Sequence, residues 1–408
     1  MKYLVATYGT EGDTRPFAAL CRGLIDAGHE ARLLADAATL GSAAALGVPT
    51  APLAGDIRGI LSPNRAIAGA VAKGGGFSET ARAIAEVAND NAASWLRSII
   101  EAGEGSDAIV CAGLAAFAGL SAAEYFGVKG IGAGMIPITS TAAFASPFLP
   151  PRWVPRLLNR TSHRFVTGML WRAFKEKTNQ ARAAFNLLPR AKVWSEHPML
   201  YGISPQLLPR PADWPTGAQL CGQWLLPSLA WTPPPELKSF LATGEAPIYV
   251  GFGSMTGFDH RRLLGALSRA LRGRRVLFHP GWSGVDTGAL PDNSFVIADT
   301  PHDWLFPRTA AIIHHGGSGT AHSAARAGVP AVVMPFAGDQ PFWAERLRLA
   351  GVAPEPVDGR LPRAEDIARA VDFTARTEVR ERARALGERM RAENGVVSAV
   401  SILEALAA

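Results

Sequence analysis

Residues 310–340 read A-A-I-I-H-H-G-G-S-G-T-A-H-S-A-A-R-A-G-V-P-A-V-V-M-P-F-A-G-D-Q, and they gather most of the chemically useful groups of this chain into one stretch. His314, His315, Gly316, Gly317, Ser318, Gly319 and Thr320 form a turn between an apolar run and a helical pattern. Glycines let backbone approach a ligand closely. A helix that starts near Ser318 turns free N–H groups and a partial positive charge toward that ligand, which suits a phosphate. The imidazoles and hydroxyls of the same turn add donors. Either a structural or a donor role fits His314. One helix and one strand later, Asp339 and Gln340 can accept from and donate to hydroxyls. The competing role for this pair is to cap a helix that begins at Pro341. Phosphate donors beside hydroxyl partners point to a nucleotide-sugar site.

These groups need strands and turns to hold them, and both halves of the chain supply the pattern. Short apolar runs alternate with helical periodicity, which predicts parallel α/β sheets. In the first half, strands are expected at 3–7, 30–35, 108–111, 129–133 and 200–204, with helices at 17–28 and 81–100. In the second half, strands are expected at 248–251, 275–278, 295–298, 311–313 and 331–334. From Arg363 to about Leu406 the pattern is helical and charged. Proline-rich sequence over 205–236 predicts a semi-rigid connection. The expected division is a first domain at 1–215, a linker at 216–240 and a second domain at 241–408. Two doubly wound domains facing a cleft would put ligands beyond the carboxyl ends of strands, where the loops named above lie.

Composition bounds the answer. The chain has 408 residues, 48% of them hydrophobic, enough for two cores. No run of eighteen consecutive apolar residues occurs, so no membrane span is expected. The first residues enter a strand directly, with no signal-peptide layout expected. Cys21, Cys111 and Cys221 are far apart in apolar contexts, which argues against a disulfide framework or structural zinc and for a reducing cytoplasm. The net charge of +6 suits anionic ligands, although an arginine-rich composition alone produces it. No aromatic–basic repeat of a nucleic-acid binder occurs.

The stretch 310–340 closely resembles the nucleotide-sugar-binding region of the UDP-glycosyltransferase superfamily, whose members have the GT-B fold. P-H-D-W-L-F-P-R at 301–308 and V-G-F-G-S-M at 250–255 are similar to its sterol and antibiotic branches. G-T-E-G-D-T-R-P-F at 9–17 is similar to its N-terminal acceptor loop. The resemblance implies two Rossmann-like domains with a terminal helix, within 390–406, that crosses back to the first. It implies that His315 contacts the donor diphosphate, with Gly317, Ser318, Gly319 and Thr320 around the same phosphates and Ser254 and Thr10 as further phosphate-side donors. It implies that Asp339 and Gln340 hold the donor sugar, and that Pro301, His302 and Trp282 border the nucleobase. Burial in the core suits Trp282 equally well. Asp13 matches the catalytic base, which takes the proton of an attacking hydroxyl. An ionised carboxylate can do this if the proton moves late. Capping a helix that starts near Thr14 is the competing role of Asp13.

The function implied is inverting transfer of a hexose, glucose first, from a UDP-sugar to a hydroxyl of an apolar acceptor such as a sterol, polycyclic lipid or secondary metabolite. One departure loosens UDP: where the plant branch carries a ribose-holding glutamate, this chain has Ser323, and dTDP donors fit as well. No D-x-D occurs, and the scattered histidines lack ligand spacing, so no metal and no cofactor are expected. A nucleotide-sugar epimerase and a catalytically silent nucleotide-sugar-binding partner are the alternatives. Finally, Arg152, Arg156, Arg160 and Arg164 interleave with Trp153, Leu157, Phe165, Met169, Leu170, Trp171 and Phe174. Such a segment could lie on an anionic membrane. A solvated helix over an apolar core is the favoured reading.

Overall fold

The computed structural model describes residues 1–60, 77–227, 231–253, 259–281, 290 and 293–407. Ser254 and Trp282, two of the expected donor contacts, lie outside them. The described strands form two parallel sheets. The first has seven strands in the order β3-β2-β1-β4-β5-β6-β7: β1 (Lys2–Ala6), β2 (Glu30–Asp36), β3 (Thr50–Leu53), β4 (Ala108–Cys111), β5 (Lys129–Gly134), β6 (Met199–Tyr201) and β7 (Ala218–Leu220). The second has five in the order β10-β9-β8-β11-β12: β8 (Ile248–Gly251), β9 (Val276–His279), β10 (Ser294–Val296), β11 (Ala311–His314) and β12 (Ala331–Val333). Strands this apolar suit burial on both faces. Val5, Leu33, Ile109, Ile131, Ile312 and Val332 all fall within 0% exposure.

In each sheet the strand order reverses once, between β1 and β4 and between β8 and β11. A crevice opens beyond the carboxyl ends of the strands at such a reversal. The loop after β1 leads into α1 (Glu11–Asp26), and the loop after β11 leads into α6 (Ser318–Ala327). Between them lie α2 (Phe77–Ala102), α3 (Ala116–Phe126), α4 (Asn159–Ala183) and α5 (His260–Ala270). Beyond them come α7 (Gln340–Leu349), α8 (Ala364–Thr374), α9 (Thr377–Arg391) and α10 (Gly395–Ala407). The last helix returns to the first sheet. Ala399, Val400 and Leu403 join the core of Phe17, Leu20 and Leu24 from α1, and each fully buried aliphatic contributes roughly 1.5–3 kcal/mol. A Cβ on Gly23 would come within 2.2 Å of Val396, so glycine permits this close approach.

Several boundaries differ from the sequence expectation. Helix α1 begins at Glu11 rather than Phe17 and contains Pro16. It nucleates early because Thr10 is its N-cap, with Asp13 at N3 completing a capping box. Asp13 is therefore not the cap of a helix starting at Thr14. Strand β3 was not expected, since Thr50-Ala-Pro-Leu carries an edge-strand proline. Strand β7 falls inside the expected linker at 216–240 and extends the first sheet to Leu220. Its three residues give too little periodicity to be seen.

Candidate active site

The turn expected to hold phosphate is built by backbone. His314 ends β11 in register with Gly251 of β8 and is 0% exposed. Its Nδ1 accepts from the N–H of Gly316 at 3.0 Å, so its ring shapes the turn. Burial pushes it down to about 3, so it is a neutral, structural histidine. His315 turns the other way. Its ring lies between two glycines, and a Cβ would stand 3.0 Å from its Cε1 if placed on Gly253 and 2.5 Å from its Nε2 if placed on Gly317. Burial pushes His315 down to about 4, and its Nδ1 has no hydrogen-bond partner among the described residues. Gly317 caps α6, and Ser318, Gly319 and Thr320 are its first turn, followed by the first helical bond from Ala321 N–H to Gly317 O. Gly328, in the left-handed region at φ 74°, ends the helix.

The sugar-side pair sits against this turn, a Cβ on Gly316 meeting the carbonyl of Gln340 at 3.0 Å. Asp339 takes the N-cap place of α7, but its carboxylate caps no backbone N–H. Its Oδ2 accepts instead from the indole N–H of Trp343 at 2.7 Å. Trp343 is 0% exposed and Phe342 2%, as core residues of α7. Gln340 Oε1 accepts from the N–H groups of Phe336 and Ala337 at 2.7 and 3.1 Å. The glutamine oxygen thus holds the loop in shape. Burial pushes Asp339 up to about 6, the Trp343 bond opposes this, and the charge of Asp13 adds to it. The charge of Asp13, on the first sheet's side of the cleft, thus reaches Asp339 on the second's.

Asp13 is partly buried beside Gly9, where a Cβ would lie 2.3 Å from its Oδ2. Its Oδ2 accepts from Thr10 N at 2.7 Å and Thr10 Oγ1 at 3.1 Å. Among the described residues Oδ1 carries no hydrogen bond. Burial raises its pKa above the ordinary carboxylate value, against the two Thr10 bonds that lower it. Asp13 is thus a stronger base than an exposed aspartate. Thr10 is committed to Asp13 as well as to the cleft.

On the far side, Pro301 caps a four-residue turn, His302–Leu305, and its carbonyl accepts from Trp304 and Leu305. The His302 ring stacks on Phe306 at 4.1 Å and stands edge-on to Tyr249. Burial, then the cations nearby, His279 and Arg15 of α1, push it down to about 4. Arg15 itself pairs with Glu11 at 3.0 Å. Three hydrogen bonds across the cleft escape a sequence reading. Ser318 Oγ donates to the carbonyl of Met135, after β5, at 3.0 Å. His322 Nδ1 donates to Ser318 O at 2.8 Å and its Nε2 accepts from Ser204 N at 3.2 Å, fixing one neutral tautomer. Ser323 accepts from Gln223 at 3.4 Å. Only the spacing of four between Ser318 and His322, and between Asp339 and Trp343, hinted at two of these roles. Among the described residues no cluster of three or more metal-ligating side chains occurs.

Residues 262–406 match the family described as erythromycin biosynthesis protein CIII-like, C-terminal domain. O-mycaminosyltylonolide 6-deoxyallosyltransferase of Streptomyces fradiae is 33% identical over 99% of this chain and 97% of that protein. Sterol 3-beta-glucosyltransferase UGT80A2 of Arabidopsis thaliana is 30% identical over 98% of this chain, which spans 64% of that longer protein. Among solved structures, the glycosyltransferase of kitacinnamycin superposes with a TM-score of 0.73 over 99% of this chain and 98% of its own, at 18% identity. Spinosyn rhamnosyltransferase SpnG superposes at 0.68 over 99% and 100%, at 21% identity. A glycosyltransferase, VinC, in complex with dTDP also gives 0.68, over 100% and 99%, at 17% identity. With the GT-B fold and relatives over its whole length, the chain belongs to the UDP-glycosyltransferase superfamily and is a glycosyltransferase.

Proposed function

We propose that this glycosyltransferase moves a hexose, glucose first, from a UDP-sugar to a hydroxyl of an apolar small molecule, inverting the anomeric carbon and using no metal. The observation that carries this reading is convergence: Asp13 of the first sheet and Asp339 of the second feel each other's charge, while Ser318 of the phosphate turn bonds Met135 across the same cleft. In the step proposed, the acceptor hydroxyl attacks the anomeric carbon as the bond to the diphosphate breaks. Its proton passes to Asp13 Oδ1. The N–H groups of Ser318, Gly319 and Thr320, with the His315 imidazole, stabilise the charge on the departing diphosphate. Asp339 and Gln340 orient the sugar. Pro301 and His302 border the base. Contact between the walls would exclude water and limit donor hydrolysis.

An apolar acceptor is supported by the macrolide and sterol named for the two relatives and by the run Met135-Ile-Pro-Ile138 directly after β5. A second reading, dTDP in place of UDP, is favoured by Ser323. Its hydroxyl is turned to Gln223, and no carboxylate stands there to hold two ribose hydroxyls. Residence in the cytoplasm, with peripheral contact at a membrane, completes the proposal. The three cysteines are free and buried, and no helix among the described residues is long and apolar enough to cross a membrane. Incubation with labelled UDP-glucose or dTDP-glucose and a panel of sterols, polyketides and other apolar alcohols tests it. A new glycoside is expected. An isomerised donor would reveal an epimerase, and unchanged donor with every acceptor would favour a silent binding partner.

A further inference from the structure

The segment 151–183 concentrates the positive charge of the protein. It holds eight arginine and lysine residues against one carboxylate, Glu176, a net of +7 where the whole chain carries +6. The remainder of the chain is therefore near neutrality. Arg182 is buried against Glu124. Arg152 pairs with Glu355 and Arg160 with Asp213. Arg156, Arg164, Arg172, Lys175 and Lys177 are exposed and make no ion pair among the described residues.

Exposed apolar groups lie in the same segment. Two single turns, Pro151–Trp153 and Arg156–Leu158, lead into α4 and leave Trp153 80% and Leu157 85% exposed. Phe165 follows, 56% exposed, one residue after Arg164. The opposite side of α4, with Trp171 and Phe174, is buried and meets Phe117 of α3 edge-on. The helix thus already has its core partner, and Trp153, Leu157 and Phe165 are surplus to it. The solvated-face reading accounts for the arginines but not for these three.

We infer that this face docks on the surface of an anionic lipid bilayer, with Trp153, Leu157 and Phe165 entering the headgroup boundary and the arginines meeting lipid phosphates. Arginine stems lie along apolar surface while their heads stay polar. Polybasic segments beside aromatic and aliphatic side chains are what an anionic interface attracts. The buried side of the same helix reaches toward the cleft. His163 of α4 bonds the carbonyl of Phe144, and the Phe144 ring packs 5.2 Å from that of Phe342, three residues after Asp339. An acceptor dissolved in the bilayer would enter on this side. That purpose rests on the apolar-acceptor reading, whereas the docking itself does not.

The test is co-sedimentation of the full chain with vesicles of phosphatidylcholine alone and of phosphatidylcholine mixed with phosphatidylglycerol. Binding to the mixed vesicles only is expected, falling at least about ten-fold between 0.05 and ~0.5 M salt as charges are screened. Trp153→Ser with Leu157→Ser, and separately Arg156→Gln with Arg164→Gln, should each lower partitioning about ten-fold or more. All four residues are exposed, so thermal midpoint and nucleotide-sugar affinity in vesicle-free solution should not change. No binding to anionic vesicles, or equal binding of wild type and variants, overturns the inference. So does self-association that the Trp153/Leu157 variant abolishes in a protein that ignores vesicles, because the face is then a contact between copies. Failure of the transferase reading would appear separately, as absent nucleotide-sugar binding in vesicle-free solution.

Discussion

The two walls of the cleft are made differently. The donor wall is one continuous stretch, from β11 through the glycine turn and α6 to β12 and α7. Its key contacts run from backbone, or to it: Gly316 N–H to His314, and Phe336 and Ala337 N–H to Gln340. The opposite wall is assembled from distant pieces. Asp13 and Thr10 follow β1, Met135 follows β5, and Phe144 sits in the loop before α4. In the proposed function the first wall grips a group common to all nucleotide sugars. The second would then meet the part of the reaction that varies, and it is built from loops that can change without disturbing the grip.

If this division is right, substitutions on the two walls will separate turnover from donor binding. The largest effect belongs to the first-sheet wall. Asp13→Asn keeps an acceptor for Thr10 N–H but removes the base, and turnover should fall about 1,000-fold with donor affinity within about three-fold. Near-normal turnover would exclude Asp13 as base. On the donor wall, Gly317→Ala puts a methyl carbon where His315 Nε2 lies 2.5 Å away. Displacing the imidazole should weaken donor binding at least about ten-fold, or 1.4 kcal/mol, in calorimetry. Unchanged affinity would mean His315 does not touch the donor.

Smaller effects sharpen the picture. Trp343→Phe removes the indole N–H from Asp339. The donor KM should rise about five-fold with kcat nearly constant, as expected for lost ground-state binding. That bond holds Asp339 down, so the variant's KM should begin to rise at a higher pH than the wild type's, which should rise below about 6. A purely structural role for Trp343 would leave the pH profile in place. Outside the reaction itself, acid should act on stability. His314 and His322 are buried neutral, pushed down to about 3 and 4, against about 6.5 when unfolded. As pH falls from 6.5 toward 4 the unfolded chain binds these protons and the folded one does not. Each group should therefore cost up to about 1.4 kcal/mol per pH unit. Asp339 has the opposite sign, since its raised value lets the folded state bind a proton first, and offsets part of this below pH 6. Denaturation midpoints measured across this range should fall, and a flat profile would contradict the burial of both histidines.

The sequence made the donor wall readable because glycines, a helix start and a strand end are local signals. The strands at 248–251 and 108–111 were placed to the residue. The early start of α1 was obscured by Pro16, which reads as a helix boundary but is tolerated within a helix already capped by Thr10. Met135 and Ser204 could not be anticipated as partners, since they are brought to Ser318 and His322 by packing of residues far apart in the chain. Trp343 was legible as a core residue but not as the donor to Asp339, because the direction of an indole N–H depends on the rotamer.

The most direct test of the account is a crystal structure of the protein with UDP or a non-hydrolysable UDP-hexose. The diphosphate should lie within hydrogen-bond distance of the N–H groups of Ser318, Gly319 and Thr320 and of the His315 ring, with the sugar toward Asp339 and Asp13. A nucleotide bound elsewhere in the cleft, or a diphosphate held away from the start of α6, would contradict it.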